Sequence, residues 1–180
     1  MKTLTLLRHA KSGWNDPVTR DFDRPLNAKG KRAAALIGRW LRDEGFAFDH
    51  VVASPAVRVT ETLVDVSGGY GATITPEWDR RVYLASAATL LDVVHALPDT
   101  AGSALLVGHN PGLEDLVLML VPRSDDDPYR IAVEGKYPTA TVAQMTFDVA
   151  SWADVAAGGG RFVGFTRPRD LDPSLGPDSD

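Results

Sequence analysis

An adjacent arginine and histidine, Arg8 and His9, stand where an apolar run that begins at Leu4 ends and a polar, Gly-containing stretch to Asn15 begins. A fixed guanidinium charge beside an imidazole suits an anionic group that must be both held and attacked. A second arginine, Arg58, and a second histidine, His109, each follow a short apolar run of their own. If the four converge, they describe a site for a dianionic phosphoryl group. Neutral His9 would attack phosphorus: its ordinary pKa is about 6.5, and nearby guanidinium charges disfavour the protonated ring. Arg8 and Arg58 would hold the nonbridging oxygens, and His109 would donate to charge that grows in the transition state.

Convergence requires elements that end at one place. Leu4 to Leu7 reads as a strand that delivers Arg8 and His9 to its carboxyl end, where ligands bind in open α/β sheets. Asn27 caps a helix whose Ala33, Leu36, Ile37, Trp40 and Leu41 form one apolar stripe until Gly45. His50 to Ala53 is a second strand, and Ser54-Pro55 reads as N-cap and first residue of a helix that carries Arg58 in its opening turns. Ala72 to Thr75 suggests a further short strand, and a helix from about Ser86 stops at Pro98. Ala104 to Val107 leads into Gly108-His109-Asn110-Pro111-Gly112, with Asn110 as cap and Pro111 as first helical residue, which leaves His109 at a strand tip. The stretch 121–138, with its run Asp125-Asp126-Asp127, reads as a solvated loop. Thr141 to Val149 alternates as a half-buried strand, a short helical segment follows around Trp152 to Ala157, and Arg161 to Thr166 is a last strand that pairs with it, the two running antiparallel to the main sheet.

Taken together, these elements predict an α/β fold, a three-layer α/β/α sandwich around a mainly parallel sheet. One domain over 1–166 is expected, followed at 167–180 by an acidic, Pro-containing tail with little order. The 180 residues are 44% hydrophobic and 24% charged, ordinary for a globular chain. With no cysteine, thiol redox chemistry and zinc–thiolate sites are excluded. No apolar stretch approaches a membrane span, and the opening residues lack a cleavage signal, so the chain reads as cytoplasmic. A formal net charge of −5 argues against general nucleic-acid binding.

The segment Arg8 to Asn15 resembles the signature of the histidine phosphatase, or phosphoglycerate mutase-like, superfamily, and more closely its SixA-type phosphohistidine phosphatase branch. The similarity extends in order to Asp23-Arg24-Pro25-Leu26, Lys29-Gly30, Ser54-Pro55 with Arg58 and Thr62, and Gly108 to Gly112, and more weakly to Tyr137-Pro138-Thr139. The resemblance implies a phosphohistidine intermediate on His9, a phosphate pocket of Arg8, Arg58 and His109, and supporting contacts from Ser12 or Asn15. It implies no metal and no organic cofactor. Two departures stand out. Ala10 replaces the usual glycine, as in the SixA-like branch. The glutamate that many relatives use as general acid falls near Arg80, which leaves Glu77 and Asp79 as the nearest carboxylates.

A missing acid matters least for a phosphoramidate, so protein phosphohistidine is the favoured substrate. A phosphomonoesterase for a small metabolite or nucleotide, and a phosphate-binding module without turnover, are the alternatives. His50 and His95 read as ordinary surface or packing residues, and Arg58 with Glu61 has the spacing of a helix ion pair. Lys11, Arg20, Arg24 and Arg80 are placed to rim the pocket and meet an acidic protein surface, or to be simply solvated.

Overall fold

The computed structural model describes residues 1–13 and 20–177. Six strands form one sheet in the order β3-β2-β4-β1-β5-β6. These are β1 (Lys2–Arg8), β2 (His50–Ala53), β3 (Glu77–Trp78), β4 (Ser103–Gly108), β5 (Val142–Phe147) and β6 (Gly160–Thr166). The first four are mutually parallel, while β5 runs antiparallel to β1 and β6 antiparallel to β5. The helices are α1 (Ala28–Asp43), α2 (Val57–Tyr70), α3 (Ala87–His95), α4 (Gly112–Leu120), α5 (Pro128–Gly135) and α6 (Pro168–Leu171).

Both faces of the central strands are covered, which explains why β1 and β4 read as continuous apolar runs. Leu4, Leu6, Ala104 and Leu106 join the core under α3, α4 and α5, and the alternate residues Leu7, Leu105 and Val107 join the core under α1 and α2. The three-layer α/β/α arrangement is therefore the expected one. Helices α1 and α2 pack with almost no space between their backbones. A Cβ at Gly38 would lie 2.1 Å from the Val66 carbonyl oxygen, and one at Gly69 2.1 Å from that of Ala35.

Several boundaries differ from the sequence reading. The third strand lies at Glu77–Trp78 rather than over 72–75. Within the expected loop 121–138 the chain forms α5, because the Asp127 carboxylate accepts from the Tyr129 and Arg130 N–H groups and Pro128 occupies the first turn. The supposed tail also folds: α6 and a 3₁₀ turn at Pro173–Leu175 bring Leu171 and Leu175 against the α1–α2 core, and Lys29 Nζ donates to the Gly176 carbonyl at 2.6 Å. Proline and a capping aspartate, Asp170, are sufficient to start that turn despite the segment's polar composition. Among the described residues, no helix is long and apolar enough to cross a membrane.

Candidate active site

The sheet register brings the chemistry together. Arg8 pairs with Gly108 across β1 and β4, and Ala53 pairs with Val107 across β2 and β4, so His9, His109 and Ser54 all emerge at one edge. The His9 N–H donates to the Gly108 carbonyl at 3.0 Å, which extends the ladder one residue beyond the strand. Thr62 then ties this edge to α2. Its hydroxyl accepts from the Ala10 N–H at 2.9 Å and donates to the Arg58 carbonyl at 2.6 Å. Gly30 lets the following loop lie on α1, since a Cβ there would stand 2.2 Å from the Lys11 carbonyl oxygen.

His9 is buried, and its Nδ1 lies 2.7 Å from the Ala10 carbonyl oxygen. A carbonyl only accepts, so Nδ1 carries the proton and Nε2 keeps its lone pair. The His9 pKa is lowered to about 3, first by burial and then by the charges of Arg8 and Arg58, with the Ala10 bond opposing. Charge alone is the cause expected from the sequence, but burial is the larger one. His109 is likewise lowered to about 3 by burial and by Arg58. The His109 and His9 ring centroids are 5.3 Å apart, and the Tyr83 and His109 rings meet edge to face with centroids 5.4 Å apart. His109 Nε2 lies 2.8 Å from Ser54 Oγ, and its buried Nδ1 has no partner.

Arg8 donates through Nη1 to the Tyr137 carbonyl at 2.8 Å, and its buried Nε has no partner. Asn110 shares that carbonyl through Nδ2 at 3.0 Å. Arg58 is only 3% exposed and donates twice to Asp21, through Nη1 to the backbone carbonyl at 2.8 Å and through Nη2 to Oδ2 at 2.9 Å. The helix pair expected as an alternative does not form, because Glu61 instead accepts from the Leu26 N–H at 3.0 Å.

These groups meet in a cavity of about 530 Å³ whose walls include Arg8, His9, Ser12, Asp21, Arg58 and Asn110. His109 is set back from the cavity surface. Ser12 lines it, although its hydroxyl donates to the Pro25 carbonyl at 2.7 Å. Asn15 lies outside the described residues. Neither carboxylate considered as a general acid reaches the cavity. Glu77 is exposed and bonded to His50 at 3.0 Å, and Asp79 caps a 3₁₀ turn and pairs with Arg81 at 2.7 Å, which holds its carboxyl below the usual range. Of the four cations placed at the rim, Lys11 and Arg24 line the cavity; Arg20 is exposed against Asp23, and Arg80 sits over the Phe22 ring. His95 lies 2.7 Å from the Val155 carbonyl through Nε2 and does not line the cavity.

Asp21 is the acid that sequence reasoning misses. It is the one carboxylate lining the cavity among the described residues. Beyond Arg58 it accepts from Tyr83 OH at 2.6 Å and from Arg24 Nη1 at 2.9 Å. Burial raises its pKa, but the Tyr83, Arg24 and Arg58 hydrogen bonds outweigh that and hold it at about 2. It is a carboxylate that orients cations, not a stored proton. Among the described residues, no group of three or more histidines or acids is placed to hold a metal ion.

Residues 4–81 match the family model of the histidine phosphatase superfamily (branch 1). An uncharacterised protein of Mycobacterium tuberculosis is 34% identical over 164 residues, covering 91% of this chain and all of that protein. Two solved structures described as candidate SixA phosphohistidine phosphatases share the fold. The one from Nakamurella multipartitia has a TM-score of 0.79 and 30% identity, covering 93% of this chain and 96% of the other. The one from Agrobacterium tumefaciens has a TM-score of 0.76 and 28% identity, covering 93% and 98%.

Proposed function

Since the chain belongs to the histidine phosphatase superfamily, in its SixA-type branch, we propose that this phosphatase works without a cofactor, through a phosphohistidine intermediate on His9, and acts on phosphohistidine carried by a protein. The observation that carries the reading is the His9 ring itself. It is anchored through Nδ1–H on the Ala10 carbonyl, neutral, and in one cavity with Arg8 and Arg58.

The His9 Nε2 lone pair attacks phosphorus, a new P–N bond forms, and the bond to the departing imidazole breaks. The Ala10 carbonyl stabilises the positive charge that grows on the His9 ring. Arg8 and Arg58 hold the phosphoryl oxygens; Asp21 occupies two of the Arg58 N–H groups and fixes the fork, leaving the remaining donors for the substrate. Ser54 Oγ accepts from the Ala56 N–H at 3.3 Å and lies 2.8 Å from His109 Nε2; in this reading its proton goes to Nε2, and the His109 proton sits on the unpartnered Nδ1 as a donor for an anion. In the second step water attacks phosphorus, the P–N bond to His9 breaks and returns its electron pair to Nε2, one water proton stays on the departing hydrogen phosphate, and the other passes to solvent.

The substrate reading follows from where a proton is needed. An ester must be protonated on the bridging oxygen, inside the cavity, and the acid there is held ionised. A departing imidazole takes its proton on the ring nitrogen remote from phosphorus, which solvent can reach. The test compares phosphate release from a phosphohistidine-bearing protein, a phosphoserine peptide and an aryl phosphate, without added metal, by wild type and His9→Ala. Fast release that depends on His9 and is confined largely to phosphohistidine is expected. Preference for the esters would overturn the substrate reading, and equal slow release by both proteins would overturn the enzyme reading.

A further inference from the structure

The cavity is far larger than a phosphoryl group needs, and its charge is one-sided. Besides Arg8 and Arg58, its walls carry Lys11, Arg24, Lys29, Lys136, Arg169 and Arg167, which pairs with Asp170 at 2.8 Å, while among the described residues Asp21 is the one carboxylate that lines it. This is a concentration of positive charge in a chain whose acids outnumber its lysines and arginines, 24 to 19. The cations come from four separate parts of the chain: the loop after β1, the start of α1, the end of α5, and α6. The last of these is held in place by the Lys29 bond to Gly176, so the C-terminal segment forms one wall.

The occupant can be narrowed by what lines the walls. Among the described residues the lining holds no aromatic ring besides the His9 imidazole, so no further platform on which a nucleobase would stack; its apolar part is chiefly Leu84, Leu175 and prolines. A second compact phosphate would call for convergent, buried donors of the kind Arg8 and Arg58 supply. Instead, Lys136 is exposed and Arg169 half-buried, and neither side chain has a hydrogen-bond partner among the described residues. Dispersed cations on long flexible stems suit single charges spaced along an extended segment.

We propose that this cationic collar is a second subsite that binds Asp and Glu side chains flanking the phosphorylated histidine of the substrate protein. The inference rests on the reading of the substrate as protein phosphohistidine. Such contacts at a wet rim act mainly on encounter and KM, and salt screens them.

The experiment uses two synthetic peptides with the same phosphohistidine, one flanked by Asp and Glu and the other by Ser and Gln. The kcat/KM ratio of acidic to neutral peptide is expected at roughly tenfold in low salt, falling toward one at about 0.5 M NaCl. In a Lys136→Glu/Arg169→Glu variant the ratio should fall below one, through KM. Equal, His9-dependent turnover of both peptides by wild type overturns the subsite and leaves the phosphatase reading standing. Turnover of neither, with an ester hydrolysed instead, overturns both. A small bis-phosphorylated compound that is preferred over the acidic peptide also overturns the subsite, in favour of a second phosphate. The wild-type ratio and its salt dependence decide the matter even if the double variant does not fold.

Discussion

Mild acid should destabilise this protein through its two active-site rings. His9 and His109 are 8% and 3% exposed, and burial with the adjacent guanidinium charges lowers both pKa values to about 3. In the unfolded chain each ring titrates near 6.5. Between these values the unfolded chain binds protons that the folded chain refuses, so the contribution is intact above about pH 6.5 and is lost as the pH falls toward 3. At about 1.36 kcal/mol per pH unit, lowering the pH from 7 to 5 removes about 2 kcal/mol for each ring, or about 4 kcal/mol for the pair. That is a large part of the stability of an ordinary domain. Asp21, held at about 2, contributes its own acid loss only lower, below the ordinary carboxylate range. The assay is urea unfolding at pH 7 and pH 5 for wild type and for His9→Asn/His109→Gln. Asparagine retains a donor for the Ala10 carbonyl, and glutamine retains a group for Ser54. Wild type should lose about 4 kcal/mol more than the variant over this interval. Equal losses would refute the idea that the folded protein keeps these rings neutral.

Rapid mixing with a phosphohistidine donor and an alkaline quench should trap a phosphoryl group on wild type and none on His9→Ala; label on both would show that another residue is the acceptor. Asp21→Asn deprives a 3% exposed guanidinium of its carboxylate partner. It should lower stability in anion-free buffer by about 1–2 kcal/mol. Inorganic phosphate should raise the melting temperature of this variant more than that of wild type, because it replaces the missing anion; a smaller rise would count against Asp21 as the group holding Arg58. Gly30→Ala drives a Cβ into the Lys11 backbone, so a loss of about 1–3 kcal/mol is expected. Its kcat should fall about 100-fold through displacement of the loop beside His9. Gly68→Ala is the internal control, since nothing lies within 4 Å of a Cβ there. Urea unfolding should show it stabilised by up to about 1 kcal/mol.

What is legible in this chain is what local rules decide. The apolar runs that end in Arg8 and Gly108 can only be buried strands in an α/β protein, and parallel pairing of the two forces His9 and His109 to the same edge. Asn27 is equally legible as a cap, and its side chain accepts from the Gly30 N–H at 2.8 Å. Local rules fail where one side chain has two possible partners. Ser54 and Asn110 have the chemistry of caps, yet α2 begins only at Val57 and α4 at Gly112. The Ser54 hydroxyl turns to His109, and the Asn110 amide reaches both the Tyr137 carbonyl and the Glu114 N–H. Asp127-Pro128 follows the same cap-then-proline grammar and does start a helix, but the neighbouring aspartates make the stretch read as a solvated loop. Asp21 has only its i,i+3 spacing to Arg24 as a local signal, because the partners that bring it to the site, Arg58 and Tyr83, are 37 and 62 residues away in sequence. The division is physical. Reactive groups at strand ends inherit their position from the sheet, whereas a carboxylate on a loop acquires its role only when separate elements close around it. Substitutions at strand ends should therefore act on chemistry with the fold intact, and substitutions at Asp21 should change the chemistry and the fit of the loop together.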